Sequence, residues 1–224
     1  MRLRILFEDN HLIAVYKPAG VLVQADETGD ICLKEIVEDY IVREYNKPGA
    51  AFVGVIHRID RPVSGLVLMA KTSKALARMN KMFEEKTIQK TYWAVVHNHA
   101  ESEDSVELVN WILKDSAKNM VHCYNKARGA SKRAELSYKQ VGASKGFSLF
   151  EVKPKTGRPH QIRAQLSYAG FPIAGDVKYG AKGFLSDQSI ALHAYSLEFD
   201  HPISKEKVII KCLPEKKNKW SLFD

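Results

Sequence analysis

Cysteine is scarce in this chain. Its 224 residues hold three, Cys32, Cys123 and Cys212. They lie about ninety residues apart, are odd in number and form no CxxC pair, which argues against a disulfide framework and a thiolate zinc site. A reducing cytoplasm fits that usage. Long apolar runs are also missing: nothing approaches the ~20 residues of a membrane-spanning helix. Met1-Arg2-Leu3-Arg4 leads into a short strand-like run rather than the apolar stretch of a signal peptide. No membrane partner is therefore expected. Metal-ligand clusters are lacking too, since His97 and His99 are the only close histidine pair and no carboxylate or thiol motif accompanies them. Low-complexity linkers and internal repeats are absent, so residues 1–224 read as one domain.

Acidic residues are in deficit. Asp plus Glu number 26 against 34 Lys plus Arg, giving a formal net charge of +8. That excess favours an anionic partner such as nucleic acid, through phosphate neutralisation and counterion release. Many basic proteins bind no nucleic acid, so the charge narrows the field without deciding it. Hydrophobic residues make up 45%, enough for a globular core in a chain of this length.

Short strands dominate the pattern. Leu12 to Tyr16 is an apolar run ended by the turn Lys17-Pro18-Ala19-Gly20. Asp30 is placed to cap a helix over 31–45, with Leu33, Ile36, Val37, Tyr40 and Ile41 at helical spacing. Gly65 to Ala70 is continuously apolar, as a buried strand is. Thr72 and Ser73 offer caps for a helix over 74–85. Thr91 to Val96 is another strand. Residues 97–133 are polar and basic and read as a hairpin with mobile loops. Leu136 and Tyr138 alternate with polar neighbours, and Phe147 to Val152 follows as a partner. Pro159 suits the first turn of a helix over 159–169, and Gly170 its end. On that helix His160, Arg163 and Ser167 share a face. Many strands with few helices indicate an α+β fold.

Two runs carry the chemistry. His57-Arg58-Ile59-Asp60-Arg61-Pro62-Val63-Ser64-Gly65-Leu66 sets one carboxylate between two arginines, beside strand-like segments. Flanking guanidiniums keep a carboxylate ionised, which suits a nucleophile or general base. A surface ion pair beside a turn explains this run equally well. About a hundred residues on, Lys155-Thr156-Gly157-Arg158-Pro159-His160-Gln161-Ile162-Arg163 places three cations and a glycine together.

Together the two runs resemble the RluA-type family of pseudouridine synthases, whose motifs are close to H-R-L-D-x-x-T-S-G-L-L-L and G-R-T-H-Q-I-R. Lys17-Pro18-Ala19-Gly20, Lys90-Thr91-Tyr92-Trp93-Ala94-Val95, Gly170 to Gly180 and Leu192-His193-Ala194 resemble further family segments in the same order. The resemblance implies a curved, mixed but mainly antiparallel β-sheet with flanking helices and a central catalytic cleft. It implies isomerisation of uridine to pseudouridine in RNA, ribosomal or transfer, by a monomer needing neither cofactor nor metal. Family members often carry a small N-terminal RNA-binding domain. The first motif here begins near residue 12, so none is expected.

The resemblance also assigns roles. Asp60 matches the essential aspartate, as nucleophile or as the base that takes a sugar proton. Arg163 matches the arginine that pairs with it, and Tyr92 the active-site tyrosine. Ile162 would pack against the uracil, and Arg58 would fill the vacated stack or hold phosphate once the base is flipped. Lys17, Arg61, Arg158 and His160 are candidates for a phosphate-binding rim. Val63 and Pro159 stand where the family usually has Thr, and Gln165 where it often has His, which bears on substrate rather than activity. Two other readings compete. A non-catalytic RNA-binding module would use Asp60 only to order Arg58 and Arg163. A serine hydrolase would use Ser64, but Ser64 lacks the leading glycine of G-x-S-x-G.

Overall fold

The structure, a computed structural model, describes residues 3–98 and 104–223. The chain forms two compact units, Met1–Lys90 with Ala194–Pro214, and Thr91–His193 with Glu215–Asp224.

The first unit is built on strands β1 (Ile5–Glu8), β2 (Leu12–Lys17), β3 (Gly54–Val55) and β4 (Ser64–Ala70), with β10 (Leu192–Asp200) and β11 (Lys207–Lys211). β2 lies between β1 and β4, antiparallel to both; β10 neighbours β4, and β11 pairs antiparallel with β10. Every residue of β2 is buried, and its apolar members are 0–7% exposed. Such continuous apolarity marks a strand covered on both faces. Helix α1 (Leu33–Glu44) buries Leu33, Val37 and Ile41. Helix α2 (Ser73–Glu84) packs Ala75 and Met79 into a core with Leu12, Leu68 and Phe199. The Thr72 hydroxyl caps α2 by accepting the Ala75 N–H at 3.2 Å. Asp30 does not cap α1. The cap residue is Cys32, whose N–H donates to Glu35 at 2.9 Å, while Asp30 pairs with Arg61 instead. The helix thus starts two residues later than the apolar spacing implied.

In the second unit β5 (Gln89–His97), β9 (Phe147–Pro154), β8 (Lys132–Ser144), β6 (Val106–Asp115) and β7 (Met120–Tyr124) lie side by side in that order. β5–β9, β9–β8, β8–β6 and β6–β7 are antiparallel. β6 and β7 are the hairpin expected within 97–133. His99 lies outside the described residues. Helix α3 (Gln161–Tyr168) covers one face, with Ala164 among Ile112, Val121, Ala134 and Tyr179. It begins after Pro159, not on it. His160 takes the left-handed conformation at φ +50° and ends the preceding turn. Gln161 then ties the start down, its side chain accepting from Thr156 and Arg158 N–H and donating to the Glu135 carbonyl.

Candidate active site

Asp60 is half-buried in the loop between β3 and β4. That loop is fixed on both sides. His57 Nε2 accepts the Leu68 N–H at 3.0 Å, and its ring stacks on Phe83 at 5.4 Å. This histidine acts as a neutral acceptor: burial pushes it down to about 4, and the charge of Lys90 adds to the fall. The Asp60 carbonyl accepts Val63 N–H at 3.0 Å, and the Arg61 carbonyl accepts Gly20 N–H at 2.8 Å. Gly65 follows at φ +122°, where a Cβ would lie 2.4 Å from the backbone oxygen of Ala194. Only glycine allows β4 and β10 that approach. The Ser-Gly step behind Asp60 is therefore a packing requirement, not a nucleophile elbow.

Lys17 corrects an expectation. It is 0% exposed and lies inside the unit rather than on a phosphate-binding rim. Its ammonium donates to the carbonyls of Val21 (2.7 Å), Pro18 (3.0 Å) and Arg61 (3.1 Å). Burial draws it down to about 7, against the upward pull of the Asp60 carboxylate, with Arg61 adding to the fall. Lys17 thus clamps the backbone next to Asp60, within electrostatic reach of that carboxylate. Arg61 is exposed but held: it donates to the Gly20 carbonyl at 3.0 Å and to Asp30 at 2.6 Å. Arg58 is exposed and makes no hydrogen bond or ion pair among the described residues.

The second unit holds the other candidates. Tyr92 on β5 lies opposite Val152 of β9, which lies opposite Tyr138 of β8. Directly opposed residues share a face. Continuing from Tyr138 along β8 by steps of two reaches Ala134, which packs with α3. Tyr92 is therefore on the face that carries Ile162 and Arg163. Ile162 is 8% exposed. Arg163 is buried, with Nε and Nη2 on the two oxygens of Asp176 at 2.7 and 2.9 Å. Such a bidentate fork fixes the guanidinium plane.

His160, Arg163 and Ser167, expected on one face, all contact Tyr179. Arg163 lies 4.9 Å from its ring centroid and Ser167 donates to its carbonyl at 2.6 Å. The Tyr179 hydroxyl accepts Val121 N–H at 2.9 Å and is hydrogen-bonded to His160 Nδ1, also at 2.9 Å. Arg158 is exposed, its Nε on the Arg133 carbonyl at 3.3 Å. Sequence reasoning gave Asp176 and Tyr179 no role. Their signal is the segment Gly175-Asp176-Val177-Lys178-Tyr179-Gly180, which carries only a family resemblance and no periodic pattern.

Residues 11–168 match the sequence profile of a family described as RNA pseudouridylate synthase. The ribosomal large subunit pseudouridine synthase C of Vibrio cholerae is 34% identical over 212 residues, which are 92% of this chain and 64% of that protein. The chain thus spans just under two thirds of that relative's length. The tRNA pseudouridine synthase C of Vibrio parahaemolyticus is 28% identical, over 94% of this chain and 90% of its own. Among solved structures, human RNA Pseudouridylate Synthase Domain Containing 4 superposes with a TM-score of 0.76 at 21% identity. It covers 95% of this chain and 89% of that one, so the α+β fold is shared.

Proposed function

The chain belongs to the RNA pseudouridylate synthase family, and on that footing we propose that it isomerises uridine to pseudouridine within RNA. The bond from uracil N1 to the sugar breaks, and the uracil turns. Carbon 5 then joins the sugar and loses its proton, while N1 gains one. Atoms and electrons balance, so the reaction calls for no redox cofactor.

Asp60 is the nucleophile, or the base that removes a sugar proton. The observation that carries this is the loop itself: one half-buried carboxylate whose flanking backbone is held by His57, Gly20 and the buried Lys17. A catalytic group needs that rigidity, since misplacement by an ångström costs rate steeply. Tyr92 stacks on the uracil and assists proton transfer, with Ile162 against the base. Arg163, fixed by Asp176, supplies an oriented cation to the site. Arg58, Arg61 and Arg158 are exposed and contact phosphates, Arg58 after the base has flipped. His160, hydrogen-bonded to Tyr179, is a further candidate for phosphate contact.

The RNA is ribosomal or transfer RNA, since relatives carrying either name match over more than nine tenths of the chain. The enzyme works as a monomer in the cytoplasm, a reducing setting that suits three free cysteines. The test is tritium release from RNA labelled at uracil carbon 5. Asp60→Asn keeps the shape and loses the charge, and is expected to lower turnover by at least about 10²-fold while RNA still binds. Turnover above about a hundredth of wild type removes Asp60 from the chemistry.

A further inference from the structure

The sheet of β7, β6 and β8 has a second face, opposite α3, that the isomerisation does not use. Trp111 of β6 lies directly between Tyr124 of β7 and Arg133 of β8. Strand alternation adds Val109 and Leu113 beside Trp111 on that face, while Asn110 and Ile112 point the other way, to Gln165 and the α3 core. Val109 is 38% exposed, and Trp111, Leu113 and Tyr124 are half-buried. Among the described residues Trp111 makes no side-chain hydrogen bond and no ring contact. Cations edge the row. Arg128 lies over the Tyr124 ring at 5.0 Å, and Arg133, its side chain 58% exposed, pairs with Glu135 at 3.3 Å. Lys126 is exposed nearby in the chain, and Arg158 hydrogen-bonds the Arg133 carbonyl.

We propose that this face is a stacking platform for unpaired nucleobases of the RNA, separate from the residues that carry the isomerisation. Every base has a π-face, and aromatic planes edged by guanidiniums take bases and phosphates together. An acidic peptide would use the cations and leave the Trp111 ring unused. The proposal rests on the reading of this protein as an enzyme acting on RNA, and it adds how single-stranded segments beside the target are held.

The test measures binding of a short fluorescent oligouridylate and of an RNA duplex by polarisation, using the full chain. Trp111→Ala and Tyr124→Ala should each weaken single-strand binding by about 5- to 100-fold. Trp111→Phe should restore most of it, and duplex binding and turnover at saturating RNA should hold. Independently of any variant, ultraviolet crosslinking of the wild type to a strand containing 4-thiouridine should place adducts on Trp111 or Tyr124. Variants that melt like wild type and bind the single strand equally well overturn the platform. So do adducts found only elsewhere, or a wild-type dimer in sedimentation that Trp111→Ala dissolves. Tritium release by the wild type keeps the two readings apart. Activity without adducts here sinks the platform alone, whereas no activity on any RNA sinks the underlying reading.

Discussion

Replacing Arg163 by Met should destabilise the second unit severely. The guanidinium meets both oxygens of Asp176, at 2.7 and 2.9 Å, and the two side chains are only 6% and 1% exposed. Methionine keeps the aliphatic stem but removes every donor. Asp176 is then stranded as a buried charge, and breaking such a pair costs about 3–5 kcal/mol. In a chain of this size each kcal/mol moves the melting midpoint by roughly 2–4 °C, so a fall of about 6–20 °C is expected. The stacking of Arg163 on Tyr179 is lost as well, which favours the upper half of that range. Adding Asp176→Asn removes the stranded charge, so the double variant should be less destabilised than the sum of the singles. Coupling of residues in contact runs to about 0.5–3 kcal/mol. Calorimetry and urea titration on the four proteins of the cycle give these numbers. A single variant melting within about 2 °C of wild type, or strict additivity in the cycle, refutes the claim that this fork holds the unit together.

Three further outcomes follow from the geometry. His57 takes up a proton at about 4 in the folded protein and near 6.5 when unfolded, so the unfolded state binds more protons between those values. Stability should fall as pH drops through that window. His57→Gln, which keeps an acceptor but cannot titrate, should flatten the fall in a series of urea melts. Gly65→Ala should abolish folding or cost several kcal/mol, because the added methyl would meet Ala194 backbone at 2.4–2.5 Å at a positive φ; a soluble variant with native melting contradicts the close approach of β4 and β10. RNA affinity should fall steeply with salt, by about 0.7–0.9 in the log–log slope per phosphate neutralised. Lys126, Arg128 and Lys132 substituted together should flatten that slope, and activity should survive excess EDTA. Loss of turnover in chelator would overturn the metal-free reading.

Local pattern decided much of this protein before any folding was considered. The apolar runs at 12–16 and 65–70 are the strands β2 and β4, since nothing else hides continuous apolar residues so briefly. Thr72 caps α2 because a hydroxyl one residue before a helix meets its free N–H groups wherever the helix packs. Arg163 and Ser167 share a face of α3 by helical period and both meet Tyr179, whereas His160 reaches Tyr179 from outside the helix, in the left-handed turn before it. Two ordered runs around Asp60 and Arg163 were enough to point to the family.

Tertiary structure decided what each charge meets. Lys17 reads as a rim cation because lysine usually stays in water. Yet it ends a strand enclosed between β1 and β4, so its ammonium turns to three carbonyls, one of them 44 residues away. Asp30 looks like a cap, but a carboxylate within 2.6 Å of Arg61 has a charged partner, and the backbone N–H it would have capped is served by Glu35. Asp176 carries no periodic signal and becomes the partner of Arg163 only because the turn after Ile173 brings it against α3. Exposure and pairing are properties of packed surfaces, not of neighbours in the chain. Sequence therefore fixes which groups can do chemistry here, and packing fixes which of them are held still enough to do it.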